Sequence, residues 1–248
     1  MGGLYSVPWE SHFFLLNALL LKDRPEDVGL SPCGGKLGEP RENGFPPRRA
    51  GYFEIIKQGP FWIIGISYFF ISYGCYALID FVVIYGKMEL GIPYSIASLF
   101  ITVAAFSGIP GGILIMVLFA HVGTKKSLGL TYLLMALSIL FIIFAGNNVL
   151  LLMVGIGWFG VPYGGIFPLV AACTRDYFSK EVTGTVLGLL TIFYGVGAIL
   201  SPVLTGYLAD ITGTLRWSFG LGALAAFLAG FLIVFLGRSR DSYKENVI

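Results

Sequence analysis

PFWIIGISYFFISYGCYALIDFVVIYG, residues 60–86, holds one charged side chain, Asp80, in an otherwise apolar or hydroxyl-bearing run. A run of that length crosses the ~30 Å hydrocarbon core as a helix. Five more follow it, at about Ser95–Ala120, Leu128–Ala145, Val149–Cys173, Thr183–Ala209 and Trp217–Leu236. None shows the period-two alternation of a ~10-residue barrel strand, so helices are the spanning element. The stretch therefore predicts an all-α membrane protein with six transmembrane helices over 60–237.

Composition agrees. The 248 residues are 56% hydrophobic and 12% charged, with a mean hydropathy of +0.82. Soluble domains carry about 25% charged residues, and so few charges do not cover the apolar surface of a soluble fold. Lipid bilayer is the predicted solvent. A net charge of +2 gives no support to a nucleic-acid partner. Cys33, Cys75 and Cys173 lie far apart without CxxC spacing, and the two histidines are His12 and His121. No disulfide framework, metal site or cofactor is read from them.

The flanks divide the rest. Phe13–Leu21 is apolar but too short to span, and Lys22, Asp23 and Arg24 follow it where a signal peptide would have a small-residue cleavage site. Residues 1–21 are read as the remnant of a preceding transmembrane helix. Residues 22–59 hold five prolines before residue 50 and mixed charge, so they read as a linker, with an amphipathic lead-in near Tyr52–Lys57 at the membrane surface. Residues 238–248 read as a tail. Fourteen of the sixteen Lys and Arg fall on the linker side, leaving only Lys87 and Arg216 opposite. Positive charge marks the cytoplasmic face, which predicts a multi-pass protein of the cell (inner) membrane with linker and C-terminus cytoplasmic.

Motifs carry the reading further. Leu118, Gly123 and Lys125, in the tight basic turn between the second and third stretches, resemble the helix 8–9 loop of the major facilitator superfamily, where G-x-L-x-D-R-x-G-R-K recurs. Met116, Ala120-His121 and Thr124 depart from it. The departures remove the motif's Asp-Arg pair, and His121 reads as a partly solvated interfacial side chain. Residues 175–185 (RDYFSKEVTGT) are similar to that superfamily's loop before helix 11. Residues 195–202 (GVGAILSP), 206–210 (GYLAD), Thr212-Gly213 and 216–219 (RWSF) are similar to its helices 11 and 12. Residues 22–30 (KDRPEDVGL) resemble the segment after helix 6, above all in monocarboxylate and oxalate/formate-type branches. The ordered set implies the C-terminal half of a twelve-helix transporter, with six helices as a 3+3 inverted repeat. It implies secondary active transport of a small solute, an organic anion in those branches, by alternating access with proton coupling or exchange. A missing N-terminal six-helix half is the implied partner. Gly123 and Lys125 are carried over as gating residues.

Individual residues sharpen the site. Gly184, Gly188, Thr191, Gly195, Ala198, Pro202 and Gly206 share a helical stripe about 80° wide. Small residues admit a close neighbour, so the stripe serves packing or gating, and Pro202 bends its helix. Gly155, Gly157, Gly160, Gly164 and Gly165 punctuate the fourth stretch, which is expected to bend between Pro162 and Pro168. Trp158 and Tyr163 there read equally as cavity residues and as bundle packing. Asp80 is the only acid well inside a span, about six residues or roughly 9 Å from its outer end. Such a carboxylate must be paired, hydrated or protonated; Tyr73 and Tyr76 lie on its face at i−7 and i−4. Asp80 therefore reads as a proton-coupling or substrate group, or as a carboxylate reaching the interface. Asp210 and Arg216 are positioned to pair across the outer turn. Two other classes remain: a non-transporting or self-pairing six-helix protein, and a membrane-embedded enzyme. The latter lacks a histidine or a second carboxylate within the spans, so no enzyme activity is predicted.

Overall fold

The computed structural model describes residues 52–179 and 182–237. The expected remnant at 1–21, most of the 22–59 linker and the tail at 238–248 lie outside them. Six described spans are long and apolar enough to cross a membrane, the first two being Gly59–Glu89 and Tyr94–Val122; their main helices are α1 Gly59–Ile79, α2 Leu99–Val122, α3 Thr124–Phe144, α4 Val149–Tyr177, α5 Thr183–Thr212 and α6 Leu215–Val234. No strand occurs among the described residues. The lead-in forms a short helical turn, Tyr52–Ile56.

Where the helices begin and end follows from local chemistry. The first stretch, read as one helix to Gly86, stops at Ile79. Phe81 donates to the Leu78 carbonyl in a tightened turn; a short segment Val82–Ile84 and a π-helical turn Tyr85–Glu89 carry the chain on. Asp80 thus ends α1 while still lying inside the candidate span Gly59–Glu89. The third helix starts four residues before the expected edge. Gly123, at φ 85° and ψ 158°, turns the chain sharply where a side chain would strain it, and Thr124 begins α3 directly. The Asn148 side chain caps α4 by accepting from Leu151 N at 3.2 Å. Gly213, at φ 72°, closes α5 in the left-handed conformation. Pro162 and Pro168 lie inside an unbroken α4.

The packing scheme has an internal symmetry. The main contacts are α2 with α4, α1 with α5, α1 with α6, α3 with α4, and α3 with α6. Exchanging α1, α2, α3 for α4, α5, α6 leaves that set unchanged. This is the signature of a 3+3 inverted repeat.

Small residues make the crossings close. On α2, Gly108 and Gly112 lie against Gly160 and Gly164 of α4. A Cβ on Gly164 would collide with the Gly108 carbonyl, and one on Gly112 would sit 3.0 Å from Gly164 O. The equivalent α1–α5 crossing sets Gly197 against Phe69 O and Ser72, and Ser72 Oγ donates to Tyr194 O at 2.7 Å. In lipid, where no hydrophobic force drives helix against helix, such close approach and interhelical hydrogen bonding supply the association.

Candidate functional site

A tyrosine-rich face forms where α1, α4 and α5 converge. Tyr68 and Tyr76 of α1 bracket Tyr194 of α5, with ring centroids 4.7 Å and 6.0 Å apart. Tyr163 of α4 stacks on Phe159 at 5.8 Å. Asp80 is exposed at the end of α1. Tyr68 is itself buried in the core, so the face offers the phenolic hydroxyls of Tyr76 and Tyr194, each a donor and an acceptor, and one carboxylate.

Two of the expected pathway residues point elsewhere. Tyr73 is buried with Ala77 and Ala225, and its carbonyl accepts from Ser201 Oγ at 2.8 Å. Tyr73 and Tyr76 are about 60° apart around the helix, enough to place them against different neighbours. Trp158 packs on Phe141 of α3 at 5.9 Å; it lies about 140° around α4 from Tyr163. Tyr194 joins the face from beside the glycine stripe, about 40° around α5 from Ala198.

The ends of the bundle are fastened by carboxylates. At the end bearing Lys125 and Arg175, here the basic end, Thr124 Oγ1 donates to Asp176 Oδ2, tying the start of α3 to the end of α4. Lys125 Nζ donates to the carbonyls of Val234 and Leu236, and Tyr177 Oη donates to Gly237 O at 2.7 Å. At the far end, Glu89 accepts from Thr214 Oγ1 at 2.6 Å and from Leu215 N, capping α6. Arg216 reaches Tyr85, not Asp210: its Nε donates to Tyr85 Oη at 3.2 Å. The expected Asp210–Arg216 closure is replaced because the first span's π-helical extension brings Tyr85 and Glu89 under the same turn.

The small-residue stripe of α5 is bare within this bundle. Nothing lies within 4 Å of a Cβ built on Gly184, Gly188, Gly195 or Gly206, and Pro202 is half-buried. The most glycine-dense seam, α2 on α4, draws half of its facing glycines from the second span, which the sequence reading passed over. Its signal was present as Gly108-x-x-x-Gly112 facing Gly160-x-x-x-Gly164.

Residues 64–247 match the family model described as Major Facilitator Superfamily. The chain belongs to the Major Facilitator Superfamily. Among curated proteins, Monocarboxylate transporter 12-B of Danio rerio is 24% identical over 256 residues, covering 94% of this chain and 53% of that protein. Among solved structures, the E. coli fucose:proton symporter FucP aligns with a TM-score of 0.64 at 14% identity. That alignment covers 79% of this chain and 48% of the symporter. FucP in its outward conformation aligns with the same values. The chain spans about half the length of these relatives. In this major facilitator chain the inverted repeat seen in the packing is the expected internal architecture of one half.

Proposed function

We propose that this chain forms the C-terminal half of a secondary transporter that moves a small solute by alternating access. The observation that carries the reading is the meeting of Tyr76 of α1 with Tyr194 of α5, one turn from the exposed carboxylate of Asp80. In a major facilitator fold, solute binds between the two six-helix halves. The bare stripe of α5, from Gly184 to Gly206, is the surface against which helices of an N-terminal half would close.

The solute is a small organic anion, with a monocarboxylate as the first candidate because the curated relative is named for that class. Phenolic hydroxyls donate to a carboxylate, and Asp80 carries the coupling proton. No Lys or Arg lies within the apolar core of the six helices, so the N-terminal half supplies the countercharge. The basic end, with Lys57, Lys125, Lys126 and Arg175, faces the cytoplasm; Lys87 and Arg216 face outward.

The test is uptake of labelled short monocarboxylates into proteoliposomes under an imposed pH gradient. The full-length gene product is compared with this chain alone. Gradient-driven uptake that needs both halves is expected. Uptake by this chain alone, running as a homodimer in mild detergent, would make a second copy the partner of the α5 face. Failure of both preparations to move any of a broad solute panel would overturn transport.

A further inference from the structure

We propose that an anionic phospholipid from the leaflet at the basic end occupies a groove between α3 and α6, with its phosphate held by Lys126 and Lys125. The proposal rests on the membrane reading but not on the identity of the transported solute.

The groove has a volume of about 540 Å³, within the range of small-molecule sites. Its origin is a backbone approach without side chains. Gly129 and Gly230 face one another, and a Cβ on Gly230 would lie 3.3 Å from the Gly129 carbonyl. Leu130 and Leu133 form one wall, and Phe227 and Phe231 the other. All four are exposed large apolar side chains. They stand at membrane depth, where the medium that covers them is acyl chain.

One end of this trough is charged and the rest is not. Lys125 and Lys126 are its only charged lining residues. Lys125 is anchored by the carbonyls of Val234 and Leu236, which hold its ammonium over the end of α6. Lys126 is exposed, and no described side chain hydrogen-bonds to it. Asp176, a described acid at this end of the bundle, is engaged by Thr124 on the side of α3 that meets α4. An apolar trough with a cationic mouth at the interface complements a lipid with a negative headgroup. It does not select a zwitterionic one, because basic pockets between transmembrane helices draw anionic headgroups from the leaflet they face.

The experiment is native mass spectrometry of the full chain in detergent, titrated with phosphatidylglycerol or with phosphatidylcholine of the same acyl chains. Phosphatidylglycerol is expected to bind more tightly. Lys126→Gln should weaken it about fivefold, as one interfacial lysine contributes about 1 kcal/mol, while leaving phosphatidylcholine unchanged. Leu133→Trp keeps both lysines and blocks the trough, so it should weaken phosphatidylglycerol as well. Equal binding of the two lipids, or Lys126→Gln binding as the parent does, would overturn the proposal. Unchanged binding by Leu133→Trp would overturn the groove and leave only surface charge. Photo-cross-linking from position 227 to residues 238–248 in place of lipid would give the groove to the chain's own tail, and would likewise sink it.

Discussion

Asp176 and Glu89 occupy equivalent places at opposite ends of the bundle. Asp176, near the end of α4, accepts from the first residue of α3; Glu89, beyond the end of α1, accepts from the start of α6. Exchanging the two helix triplets carries one arrangement onto the other. Each carboxylate sits at a helix N-terminus, where unpaired N–H groups favour negative charge.

Removing either charge should cost stability and bias the ends differently. Asp176→Asn and Glu89→Gln are each expected to lose about 1.5–3 kcal/mol, the scale of a hydrogen bond to a charged group. Thermal unfolding in detergent measures the loss. Adding Thr124→Val to Asp176→Asn should cost little more than either alone, since both break one contact. In a working transporter, Asp176→Asn should raise thiol labelling at the basic end, and Glu89→Gln at the far end. Identical labelling patterns would show that the two carboxylates are only structural.

The glycines separate by the room around them. Gly164→Ala forces a methyl into the Gly108 carbonyl, and overpacking of that kind costs about 1–3 kcal/mol or more. Gly184→Ala and Gly188→Ala meet nothing within 4 Å; each should leave the unfolding temperature of this chain unchanged or slightly raised, because alanine favours a helix by about 0.5–1 kcal/mol. If α5 abuts another six-helix body, those same two substitutions lower uptake by the full-length protein.

Tyrosines three residues apart should behave differently. Tyr76→Phe and Tyr194→Phe each remove a hydroxyl from the convergent face. An about tenfold rise in KM for the transported solute is expected, equivalent to about 1.4 kcal/mol. Tyr73→Phe, buried against Ala77 and Ala225, should leave KM as it was. Equal effects at positions 73 and 76 would move the site off this face.

Asp80→Asn should abolish pH-gradient-driven uptake while solute exchange across the membrane persists. Uptake and pH dependence both intact would end the coupling role of Asp80.

Six spans and their order were legible because the free energy of crossing lipid depends on local sequence alone; their repeat came only with the family resemblance. Helix edges were less so. Gly123 and Asp176 start α3 four residues early, and that needs a side chain from another helix. Asp80 does lie inside the first candidate span, Gly59–Glu89, but hydropathy does not show backbone geometry, and the tightened turn at Phe81 puts it at a break between helical segments. Pairing of Tyr76 with Tyr194 is tertiary, joining helices far apart in the chain. No single-helix periodicity distinguishes it from the Tyr73 environment. Arg216 was matched with Asp210 on proximity in sequence, whereas the closer partner in space, Tyr85, arrives through a π-helical turn.

The interleaved contacts also set an order of assembly. Helix α2 packs chiefly on α4, and α1 on α5 and α6. As synthesis delivers α1, α2 and α3 to the bilayer, they find few mutual partners, and their glycine and hydroxyl seams stay lipid-facing until the later helices emerge. The smallest cooperative body is therefore the full set of six. A nascent chain stalled after α3 presents the insertion machinery with three independent rods, open to chaperones and to proteolysis.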